Sequence, residues 1–168
     1  IIAGPYIGDL ASAETRQRYR QQKKSLPAFF NTGESEEVTD LHPDYGSTVD
    51  ADYRSRSIPH HISHAMAVWF ECQPEPPFLV LAWDGIGLGP DNTVWGGECI
   101  YFDAGMRWSR VGSIVPYRLP AAEDIARYPG RIASALQGDV SRDAIGCTSM
   151  GRLIEGFAAL AGLRTQNT

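Results

Sequence analysis

The stretch that decides the fold is PPFLVLAWDGIGLGPDNTVWGGECIYFD, residues 76–103. Its apolar run Phe78–Trp83 lies between prolines and a glycine-rich segment, which is typical of a buried central strand. Two more runs, Thr93–Asp103 and Trp108–Tyr117, are rich in aromatic and branched residues and are separated by an Ala104-Gly105 turn. We therefore expect a meander of three neighbouring strands.

Helical and strand patterns on both sides of this stretch indicate the fold class. Ser12 is a candidate N-cap for the first helix, and Pro27 is expected to end that helix, because proline disrupts a helix interior. Pro59 stands at the start of the second helix, where proline is tolerated, and Glu37–Leu41 is a strand candidate. The helical patterns cover Ala11–Lys24, His60–Glu71, Ala121–Leu136 and Met150–Leu163. This mixture favours an α/β domain with a mixed sheet and flanking helices.

Length and composition are those of one ordinary globular domain. The chain has 168 residues, of which 43% are apolar and 21% charged, and a chain of this size buries about two thirds of its unfolded surface. The net charge of -5 argues against a broad nucleic-acid-binding surface, which would carry clustered Lys and Arg. The basic run Arg16–Lys24 is more typical of a solvated helix face than of a binding patch. We expect a single domain over residues 1–168 that binds no nucleic acid.

The cysteines and the apolar runs predict the compartment. Cys72, Cys99 and Cys147 are far apart and form no CxxC pair, so neither a disulfide scaffold nor a thiolate zinc site is expected. Cys99 and Cys147 carry no sequence sign of an activated, nucleophilic thiol. No apolar run approaches the roughly 18 residues that span a bilayer. The sequence therefore predicts a cytoplasmic protein without membrane association.

A histidine-rich motif, PHHISH at residues 59–64, is the first candidate site. His60 and His64 are four positions apart, so on a helix both imidazoles project from one face and can meet a single cation. The alternative is a pair of partly buried histidines satisfied by hydrogen bonds. His61 is expected to point elsewhere on the helix and to be structural. The motif alone leaves both interpretations open.

An aspartate between an apolar strand and a glycine-rich segment is the second candidate site. Asp84 follows the strand and precedes Gly85, Gly87 and Gly89. Glycines let backbone N–H groups approach a phosphate, and a carboxylate at a strand end can hold a metal or orient a nucleophile. The segment has neither the GxGxxG dinucleotide fingerprint nor the GKS/T ending of a P-loop. A tight hairpin turn, with Asp84 as a turn residue, explains it equally well.

The motif CTSMGR at residues 147–152 is the third candidate site. Thr148, Ser149 and Gly151 precede an apolar helical pattern. Hydroxyls and free N–H groups at a helix start can cap that helix or bind an anion, and capping is the commoner use. A Ser-His-Asp nucleophile is not indicated, because Ser63 lacks the GxSxG elbow.

Several motifs follow one another in an order typical of one protein family. They are YIGDL with ET (Tyr6–Leu10, Glu14, Thr15), DLHPDY with ST (Asp40–Thr48), HHxxHA (His60–Ala65), DGxGxG with WGGE (Asp84–Glu98), RVGS with PxRLP (Arg110–Pro120) and TSMGRL (Thr148–Leu153). In this order they resemble the carbamoyl-transfer domain of the HypF family of hydrogenase-maturation carbamoyltransferases. The resemblance covers nearly the whole chain.

The resemblance implies an ASKHA-type fold and a carbamoyl-transfer reaction. In that family a carbamoyl group passes from carbamoyl-adenylate, made from carbamoyl phosphate and ATP, to the C-terminal cysteine of the partner HypE. The product becomes a cyanide ligand of nickel-iron hydrogenase. For this chain the resemblance implies a divalent metal, iron or zinc, an ATP-derived carbamoyl-adenylate, and a HypE-like maturation protein as partner.

The resemblance also assigns site residues by motif. His60 and His64 would be the metal ligands, and Asp84 would be the catalytic carboxylate beside them. The residues expected to line the nucleotide site are Gly85, Gly87, Gly89, Ser149, Gly151 and Arg152.

Departures from the family pattern predict an incomplete site. The family segment usually reads DGTGYG, and here Ile86 and Leu88 replace its two hydroxyl-bearing residues. The stretch between RLP and TSMGRL is short, and the family's SGGVFQN-like and DGG segments are not found. We therefore expect a partial ASKHA-like lobe, with a non-catalytic interaction or assembly module as the alternative function. A sheet face left uncovered by a missing lobe would favour association, with a homodimer as the simplest form.

Overall fold

The computed structural model describes residues 4–33, 36–121 and 125–163. The chain divides into two compact units, Ile1–Ile58 and Pro59–Thr168. This division does not test the prediction of a single domain over residues 1–168, which stays a prediction.

The first unit contains one long helix and a small sheet. Its elements are α1 (Ala13–Phe30), β1 (Val38–Asp40), α2 (Gly46–Val49) and β2 (Arg56–Ile58). Strands β1 and β2 pair in parallel, with Val38 opposite Arg56. The strand expected within Glu37–Leu41 is therefore confirmed as β1.

The end of α1 differs from the prediction. Pro27 lies inside the helix, which ends at Phe30 and is capped by Asn31, a residue in a left-handed conformation with φ of 50°. A proline near the end of a helix removes only one intrahelical hydrogen bond, and a left-handed residue is a common helix stop. The prediction that Pro27 ends the helix was wrong for this reason. Ser12 occupies the N-cap position, but its side chain makes no capping hydrogen bond.

The basic face of α1 is paired with acidic residues of the same unit. Asp50 accepts hydrogen bonds from Arg16 at 2.8 Å and from Arg20 at 2.7 Å. Lys23 donates to the carboxylate of Glu37 and, at 3.0 Å, to the carbonyl oxygen of Asp50. The hydrogen bonds from Arg16 and Arg20 hold the pKa of Asp50 well below its ordinary value. These pairs tie α1 to the end of α2.

The second unit is a sheet with helices packed against it. In chain order it contains α3 (His60–Cys72), β3 (Phe78–Leu88), β4 (Val94–Phe102), β5 (Trp108–Ser113), β6 (Tyr117–Leu119), a 3-10 helix (Ile125–Arg127), α4 (Pro129–Leu136), β7 (Ile145–Cys147) and α5 (Met150–Leu160). The strand order is β3-β4-β7-β6, and β5 also pairs with β4. The β4–β7 pair is parallel and the other pairs are antiparallel. The predicted α/β class, with a mixed sheet and flanking helices, is confirmed.

The expected meander is present as β3, β4 and β5, but its strand ends differ from the prediction. Strand β3 continues through the glycine-rich segment to Leu88, so this segment is a strand rather than a loop or a tight turn. The third run splits, because β5 ends at Ser113 and Tyr117 begins β6. The helix expected over Ala121–Leu136 is a 3-10 turn followed by α4, and residues 122–124 lie outside the described ranges.

The core of the second unit lies between the sheet and the helices α4 and α5. Its main cluster consists of Leu119, Ile125, Ile132 and Cys147, with partly buried Ile86, Val94, Tyr117 and Leu136 packed against it. Phe78 stacks on Phe102 with ring centroids 4.9 Å apart. Burying such side chains favours folding by about 1.5–3 kcal/mol each.

Strand β3 is not the buried central strand that its composition predicts. Within the described ranges it pairs only with β4, and one of its faces carries three exposed apolar side chains, Leu79 at 61%, Leu81 at 66% and Trp83 at 66%. The alternate residue Ala82 is buried. A continuous apolar run cannot distinguish a strand covered on both faces from one covered on a single face.

The three cysteines lie in different environments, and none of the described helices resembles a membrane span. Cys72 is exposed, Cys99 is partly buried and Cys147 is buried, and all three are free thiols. Throughout the described ranges, each helix is too short or too polar to cross a membrane. The cytoplasmic location stays a prediction.

Candidate functional site

The first turn of α3 brings two imidazoles together. Pro59 occupies the N-cap position, so His60 and His64 lie one turn apart on the same helix face. Their Nε2 atoms are 3.1 Å apart and their rings are nearly perpendicular, at 78°. The His64 side chain is 60% exposed and that of His60 is 30% exposed, so a solute can reach the pair.

A bulge in β3 places a carboxylate beside these imidazoles. Trp83 pairs with Gly97 and Gly87 pairs with Trp95, so three residues of β3 lie opposite one residue of β4. Bulges of this kind redirect side chains and often lie beside functional sites. Asp84 is the first residue of the bulge, and its Oδ1 accepts a hydrogen bond from the Gly85 N–H at 2.6 Å.

The second oxygen of Asp84 faces the histidines. Asp84 Oδ2 lies 3.0 Å from His60 Nε2 and 3.5 Å from His64 Nε2. Burial alone would raise the pKa of Asp84, but the Gly85 hydrogen bond and the nearby imidazoles outweigh it and hold this pKa below its ordinary value. The carboxylate is therefore ionised at neutral pH.

The geometry of these three side chains fits a divalent cation. One ligand atom from each of His60, His64 and Asp84 lies within 4.8 Å of the others. In a tetrahedral zinc site with bonds of about 2.0–2.1 Å, ligand atoms lie about 3.3 Å apart. The three separations given above, 3.0, 3.1 and 3.5 Å, are close to that value. Imidazole and carboxylate donors suit zinc or iron better than calcium.

A third imidazole, which the sequence analysis set aside as structural, approaches the same carboxylate. His61 is completely buried, and its Nε2 lies 3.7 Å from Asp84 Oδ2. Its ring also lies 6.2 Å from the Trp95 ring. Burial lowers the pKa of His61, so this imidazole is neutral. The expectation that it points away from the site was wrong, and its position directly after His60 was the only sequence signal.

Two glycines, Gly87 in β3 and Gly89 directly after it, provide space for neighbouring groups. A Cβ atom at Gly87 would lie 2.5 Å from His61 Cε1 and 2.7 Å from His60 Cβ. A Cβ atom at Gly89 would lie 2.1 Å from Trp95 Nε1. Real Cβ atoms do not approach other atoms so closely, so α3 and Trp95 can pack against β3 only because these positions are glycine. Their predicted role in lining a nucleotide site stays a prediction.

The start of α5 packs against the bulge. The Ser149 side chain accepts a hydrogen bond from the Arg152 N–H at 3.1 Å and thereby caps the helix, and it also donates to the Gly85 carbonyl oxygen. A Cβ atom at Gly151 would lie 2.9 Å from Gly85 Cα. The structure thus shows the capping use of this motif and brings Ser149 and Gly151 next to Gly85.

Arg152 lies at the same junction. Its Nη2 donates to Glu155 at 2.8 Å and lies 3.5 Å from where a Cβ atom of Gly85 would be. Its Nε is buried and has no hydrogen-bond partner among the described residues. The guanidinium therefore sits beside the bulge, with its Nε enclosed by the surrounding structure.

A buried carboxylate below the bulge was not predicted as a functional residue. Glu98 is 1% exposed and accepts hydrogen bonds from the N–H groups of Gly96 at 3.0 Å and Gly97 at 3.2 Å. It also accepts from the Thr148 hydroxyl and, at 2.6 Å, from Arg110 Nε. It thereby joins β4, β5 and the segment before α5. Sequence reasoning missed it because its side-chain partners, Arg110 and Thr148, come from distant positions.

Arg110 extends this network to the turn after β3. It pairs with Asp91 at 3.2 Å, and its guanidinium lies over the Trp95 ring at 4.5 Å. Asp91 in turn accepts a hydrogen bond from Trp95 Nε1 at 2.9 Å. These contacts fix the turn that connects β3 to β4.

Comparisons with known proteins give a consistent result. The protein-family model described as the HypF Kae1-like domain matches residues 1–71. The family model described as the carbamoyltransferase Kae1-like domain, second subdomain, matches residues 80–145. The chain is 35% identical over 150 residues to carbamoyltransferase HypF of Synechocystis, covering 87% of this chain and 19% of that protein. It is 33% identical over 187 residues to carbamoyltransferase HypF of Rhizobium leguminosarum bv. viciae, covering 95% of this chain and 24% of that protein.

Solved structures agree in fold. A crystal structure of full-length HypF in a phosphate- and nucleotide-bound form matches with a TM-score of 0.83 and 23% identity, over 96% of this chain and 25% of that one. HypF of T. kodakarensis matches with a TM-score of 0.81 and 20% identity, over 97% of this chain and 27% of that one. The chain spans 19% and 24% of the length of the first two curated relatives.

Proposed function

Since the chain belongs to the HypF family of carbamoyltransferases, we propose that it forms the metal-binding part of a carbamoyl-transfer site in nickel-iron hydrogenase maturation. The substrate in this proposal is ATP-derived carbamoyl-adenylate, and the acceptor is the C-terminal cysteine of a HypE-like partner. The observation that carries the proposal is the convergence of His60, His64 and Asp84 within 4.8 Å.

The three ligand side chains have distinct tasks in this reaction. His60 and His64 would hold zinc or iron through their Nε2 atoms, and Asp84 would hold it through Oδ2 and supply negative charge. A bound cation would offset the phosphate charge of carbamoyl-adenylate and polarise the carbamoyl carbonyl group. Because His64 is 60% exposed, the site is open on the side from which a substrate would approach.

The junction between the bulge and α5 is the proposed nucleotide side. Ser149 and Gly151 lie against Gly85, and Arg152 has an unpartnered Nε among the described residues. N–H groups at a helix start and a guanidinium both favour bound anions. We therefore expect the phosphate of the adenylate to lie toward Arg152 and the carbamoyl group toward Asp84, with Gly85 between them.

The state of Cys147 agrees with an acceptor thiolate that belongs to a partner. Cys147 is buried, and burial raises the pKa of its thiol. Its thiol is therefore protonated at neutral pH and is a poor nucleophile. A cysteine of the partner protein would instead approach the proposed metal ligands from the exposed side of His64.

A second candidate function is an assembly module without catalysis. The specific observation is Ile86, which replaces a hydroxyl-bearing residue of the family pattern and packs against the apolar core cluster. An isoleucine packed there has no hydroxyl group to offer a ligand. In this alternative the unit binds a HypE-like protein without a need for metal or nucleotide.

Elemental analysis of the purified chain tests the metal proposal. The wild type is compared with His60→Ala/His64→Ala and with the control His42→Ala, whose imidazole stacks on Tyr45 in the other unit. We expect close to one zinc or iron per chain in the wild type and His42→Ala, and little in the double variant. Equal metal content in all three would refute the site assignment.

A transfer assay separates the two candidate functions. The chain is supplied with enzymatically generated carbamoyl-adenylate and a HypE-like acceptor, and carbamoylation of the acceptor cysteine is followed by mass spectrometry. Transfer that depends on His60 and His64 supports catalysis. A stable complex with the acceptor that forms equally well with metal chelated, without transfer, supports the assembly module.

A further inference from the structure

His61 is a buried polar side chain that the proposed reaction does not use. It is completely buried, and neither of its ring nitrogens has a hydrogen-bond partner in the described part of the chain. Burying such a group is unfavourable unless it is paired. Most buried polar groups in proteins are paired, so an exception calls for an explanation.

The carboxylate oxygen that His61 faces is buried and, among the described residues, unpaired in hydrogen bonding as well. Asp84 Oδ2 is also buried and has no hydrogen bond from any described residue, although His60 Nε2 is 3.0 Å away. His61 Nε2 lies 3.7 Å from this oxygen. A movement of about 0.7 Å would bring the two atoms to the usual N–H···O distance of about 3.0 Å.

The three imidazoles around Asp84 differ in their exposure to solvent. His64 and His60 are 60% and 30% exposed, whereas His61 is fully buried. A carboxylate oxygen has lone pairs for both a hydrogen bond and a metal bond. The interior position is therefore suited to a donor that orients the carboxylate, and the exposed positions are suited to ligands.

The surrounding structure keeps His61 in this place. Gly87 provides the space for its ring, since a Cβ atom there would lie 2.5 Å from His61 Cε1. The Trp95 ring lies 6.2 Å from the His61 ring, and Arg110 and Asp91 fix Trp95 in turn. The ring thus has little freedom to turn away from Asp84.

We propose that His61 is a positioning residue, whose Nε2–H donates a hydrogen bond to Asp84 Oδ2 and thereby sets the direction of this carboxylate toward His60 and His64. The proposal rests on the proposed function only in taking Asp84 as a metal ligand. Donors behind metal ligands commonly raise metal affinity, by about 10- to 100-fold.

Two substitutions at His61 test the metal-affinity consequence. His61→Phe keeps a planar ring but has no donor, whereas the side-chain amide of His61→Gln retains one near the position of Nε2. Zinc affinity is measured by competition with a chelator, after circular dichroism and thermal unfolding have shown that each variant folds. We expect His61→Phe to bind zinc about 10- to 100-fold more weakly than the wild type, and His61→Gln to stay within about threefold of it. Wild-type affinity in His61→Phe, or an equal loss in both variants, would overturn the proposal.

A measurement on the metal-free wild type decides the hydrogen bond itself. Nitrogen-15 NMR of the His61 ring reports which nitrogen carries the proton, and we expect Nε2–H with a signal that shifts in Asp84→Ala. An Nδ1–H tautomer, or a signal unchanged in Asp84→Ala, contradicts the proposal even if His61→Phe does not fold. If the wild type binds no metal, the proposed function fails while this measurement still decides the role of His61.

Discussion

At the scale of single residues, the site depends on close approaches that side chains larger than hydrogen would prevent. Gly87 lets the start of α3 lie directly on β3, so that His60 and His61 reach Asp84. The bulge after Trp83 turns Asp84 toward them. Small backbone changes at these positions should therefore alter metal binding more than changes elsewhere in the sheet.

Gly87→Ala should weaken zinc binding about tenfold or more and destabilise the fold by about 1–3 kcal/mol. The added methyl group would overlap His61 Cε1 and His60 Cβ, and overpacking of this kind moves neighbouring side chains. Chelator competition measures the affinity and urea unfolding measures the stability. Gly112→Ala is the matched control, because a Cβ atom there lies at an ordinary 3.6 Å from Cys99 Cβ. Equal zinc affinities in the two variants would show that Gly87 does not position the histidines.

The sequence predicted part of this site. Helical spacing was sufficient to pair His60 with His64, and the motif order indicated Asp84. The approach of His61 to Asp84 was missed, because helix geometry alone directs adjacent residues to different faces. The glycines suggested a phosphate loop, whereas the structure shows a strand in which Gly87 makes room for His61, followed directly by Gly89, which makes room for Trp95. Such contacts depend on tertiary packing, which a local pattern does not contain.

At the scale of secondary-structure elements, two charged networks hold helices and strands together. Glu98 connects β4 with Arg110 on β5 and with Thr148 before α5. Asp50 connects the end of α2 with Arg16 and Arg20 on α1.

The long elements were predicted from periodicity, but β7 was missed because its three residues, IGC, carry no readable pattern. Its strand character comes from pairing with β4 and β6.

Arg110→Ala should lower the free energy of unfolding by about 3 kcal/mol, because it leaves the Glu98 carboxylate buried without its cation. The Glu98 side chain is 0% exposed and Arg110 is 26% exposed. Urea unfolding followed by tryptophan fluorescence measures the change. The control is Arg107→Ala on an exposed pair, since Arg107 is 86% exposed, and we expect little change there. Similar losses in both variants would argue against a special role of the buried pair.

Asp50→Asn should lower the melting temperature at neutral pH, and the difference from the wild type should shrink progressively in acid. The bonds from Arg16 and Arg20 hold the pKa of Asp50 well below its ordinary value. The unfolded chain therefore binds a proton more readily than the folded one, so this stabilisation is full above the ordinary carboxyl pKa and is lost as the pH falls below it. Melting curves at several pH values test this, with the exposed Asp44→Asn as control. A difference that does not change with pH would contradict the assignment.

At the scale of the whole molecule, the exposed face of β3 is the largest departure from what the sequence predicted. Leu79, Leu81 and Trp83 lie in a row on one face of a strand that, among the described residues, pairs on one side only. An apolar strand with an open edge favours association with other chains. The curated relatives, of which this chain covers 19% and 24%, contain much additional sequence.

The isolated chain should associate in a concentration-dependent way, as the sequence analysis expected of an uncovered face. Leu81→Lys places a charge in the centre of this face and should shift the protein toward the monomer. Val115→Lys is the control, since Val115 is 85% exposed and lies between β5 and β6. Light scattering after size-exclusion chromatography measures the molar mass. Monomers in the wild type at all concentrations, or equal effects of both substitutions, would exclude association through β3.

The parallel contact between β4 and β7 has a consequence for the order in which the chain folds during synthesis. The Thr148 hydroxyl and the Val94 carbonyl that meet there are 54 positions apart, whereas His60, His64 and Asp84 lie close together in the sequence. Contacts between distant positions form late, because a longer loop must close first. The α3 helix and the β3–β5 meander can therefore assemble on the ribosome before α5 emerges. A cation bound at that stage would stabilise the growing chain and link metal supply to its folding yield.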